Sequence, residues 1–145
     1  MYRVLLLSHG ELARELLRTV EMVIGGQPEQ EVAALPLQPE QDMNEYYRAV
    51  DGFVKESGAW GGCMVFTDIA GGSPFITSAK VYRKRAGTIK MDIITGMNLP
   101  MVVEAVSNRG SNDLDEARIR ALRNGIKVYL QMVQQESRVD IAAKL

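Results

Sequence analysis

The chain has 145 residues, with 17 Lys and Arg against 18 Asp and Glu, and it contains one histidine and one cysteine. The length and composition are typical of one folded globular domain, so we predict a single domain over residues 1–145. The near-neutral charge gives no electrostatic reason to expect nucleic acid as a partner. A lone His9 and a lone Cys63 exclude an internal disulfide and a Cys/His zinc site, so we expect no metal and no cofactor.

The ends of the sequence favour a cytoplasmic protein. The N-terminal apolar run, residues 4–7, is too short for a secretory signal. No stretch has the apolar length of a membrane span.

Short apolar runs alternate with helical patterns along most of the chain. Residues 4–7 form the first strand candidate, and Ser8 followed by Glu11 has the spacing of a capping box for a helix that ends at Gly25. The same strand-then-helix pattern recurs three times. The predicted strands are 31–37, 63–66 and 89–94, and the predicted helices after them are 43–54, 74–85 and 99–107.

This alternation predicts a doubly wound α/β fold, with four parallel strands and helices on both faces. Right-handed crossovers bring the carboxyl ends of all four strands to one edge, where ligands bind in such sheets. Three polar breaks fall at this edge, at residues 8–10, 68–73 and 95–98. We therefore expect function to lie in these breaks.

The C-terminal part departs from the pattern. A charged helix is predicted over 113–124, with Asn124 and Gly125 as its stop. Residues 126–131 then alternate between apolar and polar, which predicts an edge strand buried on one face. Such a strand pairs within the chain or with a second subunit.

His9, Asp68 and the Gly71-Gly72-Ser73 loop are the strongest candidates for chemistry. Histidine is a nitrogen nucleophile that can accept and release a phosphoryl group or a proton. A carboxylate bonded to one ring nitrogen fixes the tautomer and leaves the other nitrogen free, and Asp68 lies at the end of another central strand. The helix that opens near Gly10 and the glycine loop offer backbone N–H groups to an anion.

Each of these features also has a simpler interpretation. His9 can be an ordinary loop residue, Asp68 a turn or cap residue, and the paired glycines can serve only close packing. The basic run at 83–85 is either a solvated helix end or a docking patch for an acidic partner. The position of the candidates at one edge favours phosphoryl transfer or acid–base chemistry.

Three segments resemble the IIA proteins of the mannose/fructose/sorbose family, which belong to the bacterial phosphoenolpyruvate-dependent sugar phosphotransferase system. The resemblance covers nearly the whole chain in the family's order, and residues 21–25 (EMVIG) also resemble the end of the family's first helix. The three segments are 7–10 (LSHG), 66–75 (FTDIAGGSPF) and 94–101 (ITGMNLPM).

The resemblance implies a phosphohistidine relay, a phosphotransferase activity that uses no cofactor. His9 would take a phosphoryl group from the phosphocarrier protein HPr and pass it to a histidine of the IIB component, with Asp68 orienting the ring. The segments that match the family's phosphate-binding loops contain Gly10, Gly71, Gly72 and Ser73. The membrane IIC and IID components would be indirect partners, and the IIA protein itself would not bind the sugar. The family fold also implies one antiparallel edge strand beside four parallel ones, and a homodimer in which that last strand is exchanged. Residues 126–131 fit this strand.

One position departs from the family pattern, because Ile76 stands where family members commonly carry Asn after Ser-Pro-Phe. Three alternatives to a sugar-system carrier stay open. They are the phosphocarrier subunit of dihydroxyacetone kinase, a regulatory module that binds a partner according to its phosphorylation state, and a small hydrolase that uses His9 as a base.

Overall fold

One parallel sheet organises the chain. The computed structural model describes residues 1–111 and 113–135. Its four strands, in the spatial order β2-β1-β3-β4, are all parallel. This confirms the predicted doubly wound parallel sheet. The strands are β1 (Arg3–His9), β2 (Val32–Leu37), β3 (Cys63–Thr67) and β4 (Met91–Ile94).

Helices cover both faces of this sheet. Their bounds are α1 (Leu12–Ile24), α2 (Met43–Glu56), α3 (Ser73–Arg85), α4 (Leu99–Ser107) and α5 (Leu114–Gln135), and a short 3-10 turn spans Ser57–Ala59. Strand side chains alternate between the faces, so Val4 and Leu6 pack with α1, α4 and α5. Leu5 and Leu7 pack on the opposite face with α2 and α3. Because β1 is buried on both faces, it reads as a continuous apolar run.

The path of the chain creates one switch point at the carboxyl edge. From β1 the chain moves outward to β2, then crosses back over β1 to β3 and continues outward to β4. The connections that leave β1 and β3 therefore diverge to opposite faces of the sheet. A crevice opens at such a point, and here it lies between the ends of β1 and β3.

The first helix begins later than the capping-box pattern predicts. Ser8 lies inside β1, and α1 begins at Leu12, with Glu11 as a cap residue that makes no side-chain capping bond. Ser8 Oγ still accepts a hydrogen bond from the Ala13 amide, at 2.7 Å. The serine thus satisfies a first-turn N–H group, but it does so from the strand.

The prediction of an edge strand at 126–131 is not confirmed, because these residues continue α5. The sequence stop at Gly125 is instead a point of close helix packing. A Cβ built on Gly125 would lie 2.9 Å from Met101 Cε and 3.0 Å from Asn98 Nδ2. The glycine lets α5 approach the start of α4, and the helix runs on past it. Residues 1–111 and 113–135 contain no fifth strand. The predicted exchange of a strand between two subunits lies outside the described residues of this one chain.

No helix within the described ranges combines the length and the apolar character that crossing a bilayer requires.

Candidate functional site

His9 is the last residue of β1 and lies at the switch point. Its ring nitrogen Nδ1 is 2.8 Å from Asp68 Oδ2, and its backbone amide donates to the same oxygen at 2.9 Å. Asp68 directly follows β3, the strand beside β1. The structure therefore brings together two residues that the sequence placed at the ends of two different central strands. With Nδ1 facing the carboxylate, Nε2 is the ring nitrogen left for chemistry.

The Asp68 carboxylate is held as an anion. Its side chain is 10% exposed, and burial alone would raise its pKa. Hydrogen bonds from the His9 amide, the His9 ring and the Ile69 amide outweigh this effect and hold the pKa of Asp68 below its usual value. A carboxylate fixed in this way can orient the imidazole and stabilise positive charge on it. The His9 side chain is 47% exposed, so a partner can reach it.

Gly72 lies directly against the free side of the His9 ring. A Cβ at this position would be 2.6 Å from His9 Cε1 and 3.4 Å from Nε2. Gly72 is also the cap residue of α3, and Ser73 is the first residue of that helix. The first N–H groups of a helix have no intrahelical partner and carry positive partial charge. Nε2 therefore faces the start of α3, where these donors can bind an anion.

The other predicted glycines shape the loops at this edge. Gly71 has φ +79° and Gly10 has φ +55°, both in the left-handed region that favours glycine. The Gly10 amide donates to the Leu37 carbonyl at 2.7 Å, which fixes the turn after β1 to the end of β2. Gly10 thus has a structural partner, whereas Gly71 lies in the loop that leads to α3.

The third polar break, residues 95–98, binds the backbone at the end of β3. The Gly96 amide donates to the Asp68 carbonyl, and the Met97 amide donates to the Thr67 carbonyl, both at 3.1 Å. Asn98 then caps α4 by accepting from the Met101 amide at 3.1 Å. Residues 95–98 therefore hold the backbone of Asp68 in place and do not line up beside the imidazole.

An open cleft of about 300 Å³ adjoins His9 on the β2 side. It is lined by His9, Gly10, Leu37, Gln38, Pro39, Glu40, Gln41 and Met43. Glu40 has φ 61°, and it is the only non-glycine residue with positive φ in the described ranges. This turn is not among the elements that the sequence predicts. The Gln-Pro-Glu-Gln order indicates a turn, since Pro is common at its second position, but nothing in the order marks a left-handed glutamate.

The basic run at 83–85 lies far from His9. Lys84 and Arg85 both bind the Asp51 carboxylate, at 2.9 and 2.7 Å, and Arg83 is exposed. Helix α3 starts beside His9 and runs away from it. At a rise of about 1.5 Å per residue, its last turn lies about 20 Å from His9. The run therefore does not border the candidate site.

Comparison with known proteins points to one family. Residues 3–122 match the family model described as PTS system fructose IIA component. The PTS system mannose-specific EIIAB component of Escherichia coli K12 is 26% identical over 119 residues, which is 81% of this chain and 35% of that protein. The chain thus spans about a third of the length of the mannose-specific relatives that it matches.

Solved structures show the same fold. The PTS IIA protein associated with the fucose utilization operon of Streptococcus pneumoniae has a TM-score of 0.72 and 30% identity, and the match covers 83% of this chain and 88% of that one. The phosphotransferase system component EIIA of Streptococcus agalactiae has a TM-score of 0.77 and 22% identity, with 99% of both chains covered.

Proposed function

Because this chain belongs to the mannose/fructose/sorbose IIA family of the phosphotransferase system, we propose that it is a phosphocarrier that receives and donates a phosphoryl group on His9. The observation that carries the proposal is the 2.8 Å contact between His9 Nδ1 and Asp68 Oδ2, with Nε2 facing the start of α3. This arrangement supports nucleophilic attack by one defined nitrogen.

The transfer is a single displacement at phosphorus. The Nε2 lone pair of His9 forms the new N–P bond while the bond between phosphorus and the donor's histidine nitrogen breaks, and the donor ring keeps that electron pair. The proton on Nδ1 stays in its hydrogen bond to Asp68. The His9 ring becomes positively charged as the bond forms, and the adjacent carboxylate stabilises that charge. The reverse displacement passes the group to the next histidine.

The start of α3 would bind the transferred oxygens. The amides of Gly72 and Ser73 are the candidate donors, and Gly71 allows the loop to turn toward them. Among the predicted residues, Gly10 would act by shaping the turn, since its own amide is bonded to Leu37. The site would therefore hold phosphate through backbone groups.

The partners we propose follow from the family. HPr would be the phosphoryl donor, the IIB component the acceptor, and the membrane IIC and IID components would be reached only indirectly. We propose that the chain acts in the cytoplasm and forms a homodimer, which light scattering on the purified chain would test.

The decisive experiment is labelling with phosphoenolpyruvate, enzyme I and HPr. The wild-type chain should acquire an acid-labile label, and His9→Ala should abolish it while keeping the fold, because the side chain is half exposed. Asp68→Asn keeps the shape but not the charge, so its labelling rate should fall by about 10²-fold or more. Labelling that persists in His9→Ala would refute the assignment.

The acceptor then separates the proposal from its main alternative. Phosphate that moves from the labelled chain to a purified IIB component supports a sugar system. Movement to the dihydroxyacetone kinase complex instead would assign the chain to that pathway.

A further inference from the structure

The cleft beside His9 has the character of a protein-docking surface. Three of its lining residues are apolar, namely Leu37, Pro39 and Met43, and Met43 is 43% exposed. Two more large apolar side chains are exposed close to the site, Ile69 beside Asp68 and Ile76 in the first turns of α3. Exposed apolar groups around a reactive side chain are typical of a surface that binds another protein.

Glu40 stands at the rim of this cleft in a turn that the surrounding structure fixes. The Gln41 amide donates to the Gln38 carbonyl at 3.2 Å, which closes a four-residue turn with Pro39 and Glu40 at its centre. The Gln41 side chain in turn accepts from the Gln38 amide at 3.1 Å. Gln38 also bonds to Glu11 in the loop after β1. A left-handed glutamate persists only under such constraints, and strained residues of this kind cluster at functional sites.

The charges at this edge of the sheet identify what Glu40 can bind. The loops after the four strands contain four carboxylates and neither lysine nor arginine. Three of these carboxylates already have partners. Glu11 binds Arg14, Asp42 caps α2, and Asp68 binds His9. Within the described ranges, Glu40 forms no ion pair or side-chain hydrogen bond, and neither lysine nor arginine lines the cleft.

We infer that the turn at Gln38–Gln41 selects the phosphoryl donor, by seating an apolar segment of that protein in the cleft with a basic side chain against Glu40. The inference rests on the proposed function, since it names the surface through which the donor reaches His9. The partner is a protein whose reactive histidine is bordered by apolar and basic side chains. A charge at the rim of an interface acts mainly on association rate and partner choice.

The test compares two glutamates that lie at opposite ends of β2. Glu40→Gln removes the charge beside His9, and Glu29→Gln removes the same charge from the exposed segment before β2. Each variant is titrated with purified HPr, and the dissociation constant is measured at about 50 mM and about 1 M salt. We expect Glu40→Gln to weaken binding about fivefold at low salt and the difference to vanish at high salt, where charges are screened beyond about 3 Å. Glu29→Gln should bind like the wild type.

A second pair of variants separates charge from backbone conformation. Glu40→Gly relieves the left-handed strain and removes the carboxylate, so it should raise thermal stability and weaken HPr binding as much as Glu40→Gln. Glu40→Lys should weaken it further. Equal binding by Glu40→Gln and Glu29→Gln, or a loss that persists at high salt, would overturn the inference. So would a wild-type chain that does not bind HPr.

These outcomes are distinct from a failure of the proposed function. If the wild type is labelled on His9 and Glu40→Gln binds HPr normally, the carrier role stands and the inference about the turn is wrong. If HPr binds in a Glu40-dependent way but never labels the chain, the docking surface stands and the carrier role is wrong.

Discussion

Replacing Gly72 by alanine places a methyl group against the His9 ring. Gly72 has φ −76°, which alanine adopts without strain, so the perturbation is steric. The added carbon would lie 2.6 Å from His9 Cε1 and 3.2 Å from Ile69 Cγ1. Carbon atoms in contact are normally about 3.5–4.0 Å apart, so the ring or the loop must yield by about 1 Å.

A displacement of this size is enough to disrupt the hydrogen bond between His9 and Asp68 and to misplace the reacting nitrogen. The hydrogen bond between His9 and Asp68 depends on a donor–acceptor distance within about 2.7–3.2 Å. Misplacing a reacting group by about 1 Å costs roughly 10²-fold in rate, which corresponds to about 2.7 kcal/mol. The half-exposed ring can swing outward to relieve the clash. The free energy of unfolding should therefore change by only about 1 kcal/mol, the value of one hydrogen bond.

The assay is the initial rate of phosphorylation by phospho-HPr, with nitrogen NMR of the His9 ring to follow the bond to Asp68. The matched control is Gly52→Ala in α2, where the added Cβ meets no atom within 4 Å. That variant should keep the wild-type rate and gain stability, since alanine favours a helix over glycine by about 1 kcal/mol. A wild-type rate in Gly72→Ala, with the bond to Asp68 intact, would refute the steric argument.

Three further predictions concern the scaffold. Arg3→Met should lower the free energy of unfolding by about 2–3 kcal/mol in urea titrations, because the Arg3 side chain is 3% exposed and donates to the Phe53 carbonyl in α2 and the Gln30 carbonyl before β2. Asp51→Asn should flatten the loss of stability in acid. Hydrogen bonds from Arg85 hold the pKa of Asp51 below its usual value, so the wild type keeps this stabilisation above about pH 4 and loses it as the pH falls through the lowered pKa. Gly125→Ala should lower the melting temperature, because the new Cβ would press on Asn98, which caps α4.

Each of these predictions has a result that contradicts it. For Arg3 the control is Arg48→Met on the exposed face of α2, which should change stability by no more than about 0.5 kcal/mol, and equal losses in both variants would remove the special role of Arg3. If the free energy of unfolding of Asp51→Asn falls with pH as steeply as that of the wild type, the bond between Asp51 and Arg85 does not stabilise the protein. An unchanged melting temperature in Gly125→Ala would show that a side chain at this position does not press on Asn98.

The strand ends could be predicted because two independent signals agree there. Each buried parallel strand reads as an apolar run that stops at a polar residue, and the alternation with helices fixes the side of the sheet on which the runs stop. The sequence could therefore place His9 and Asp68 at strand ends on one edge of the sheet. Their hydrogen bond could not be predicted, since it depends on the spatial order in which β3 lies beside β1.

The errors have a common physical origin in tertiary contacts. The capping box at Ser8 and Glu11 is a local pattern, but β1 continues through Ser8 because β2 pairs with it as far as His9. Gly125 is a stop signal by local conformation, yet the approach of α5 to α4 requires a glycine inside a helix. In both cases the local sequence pattern is compatible with two structures. Tertiary contacts determine which of the two forms.

The charge pattern of the site agrees with what a carrier must do. A protein that holds phosphate permanently surrounds it with lysine and arginine, since charge-assisted hydrogen bonds are about twice as strong as neutral ones. The loops at the carboxyl edge offer backbone amides and four carboxylates, and they contain no basic residue. Amides can orient a phosphoryl group. Asp68 stabilises the positive charge on the His9 ring, whereas the other three carboxylates repel the phosphoryl group and raise the free energy of its bound form. Such a site favours a group that arrives from one partner and leaves with the next.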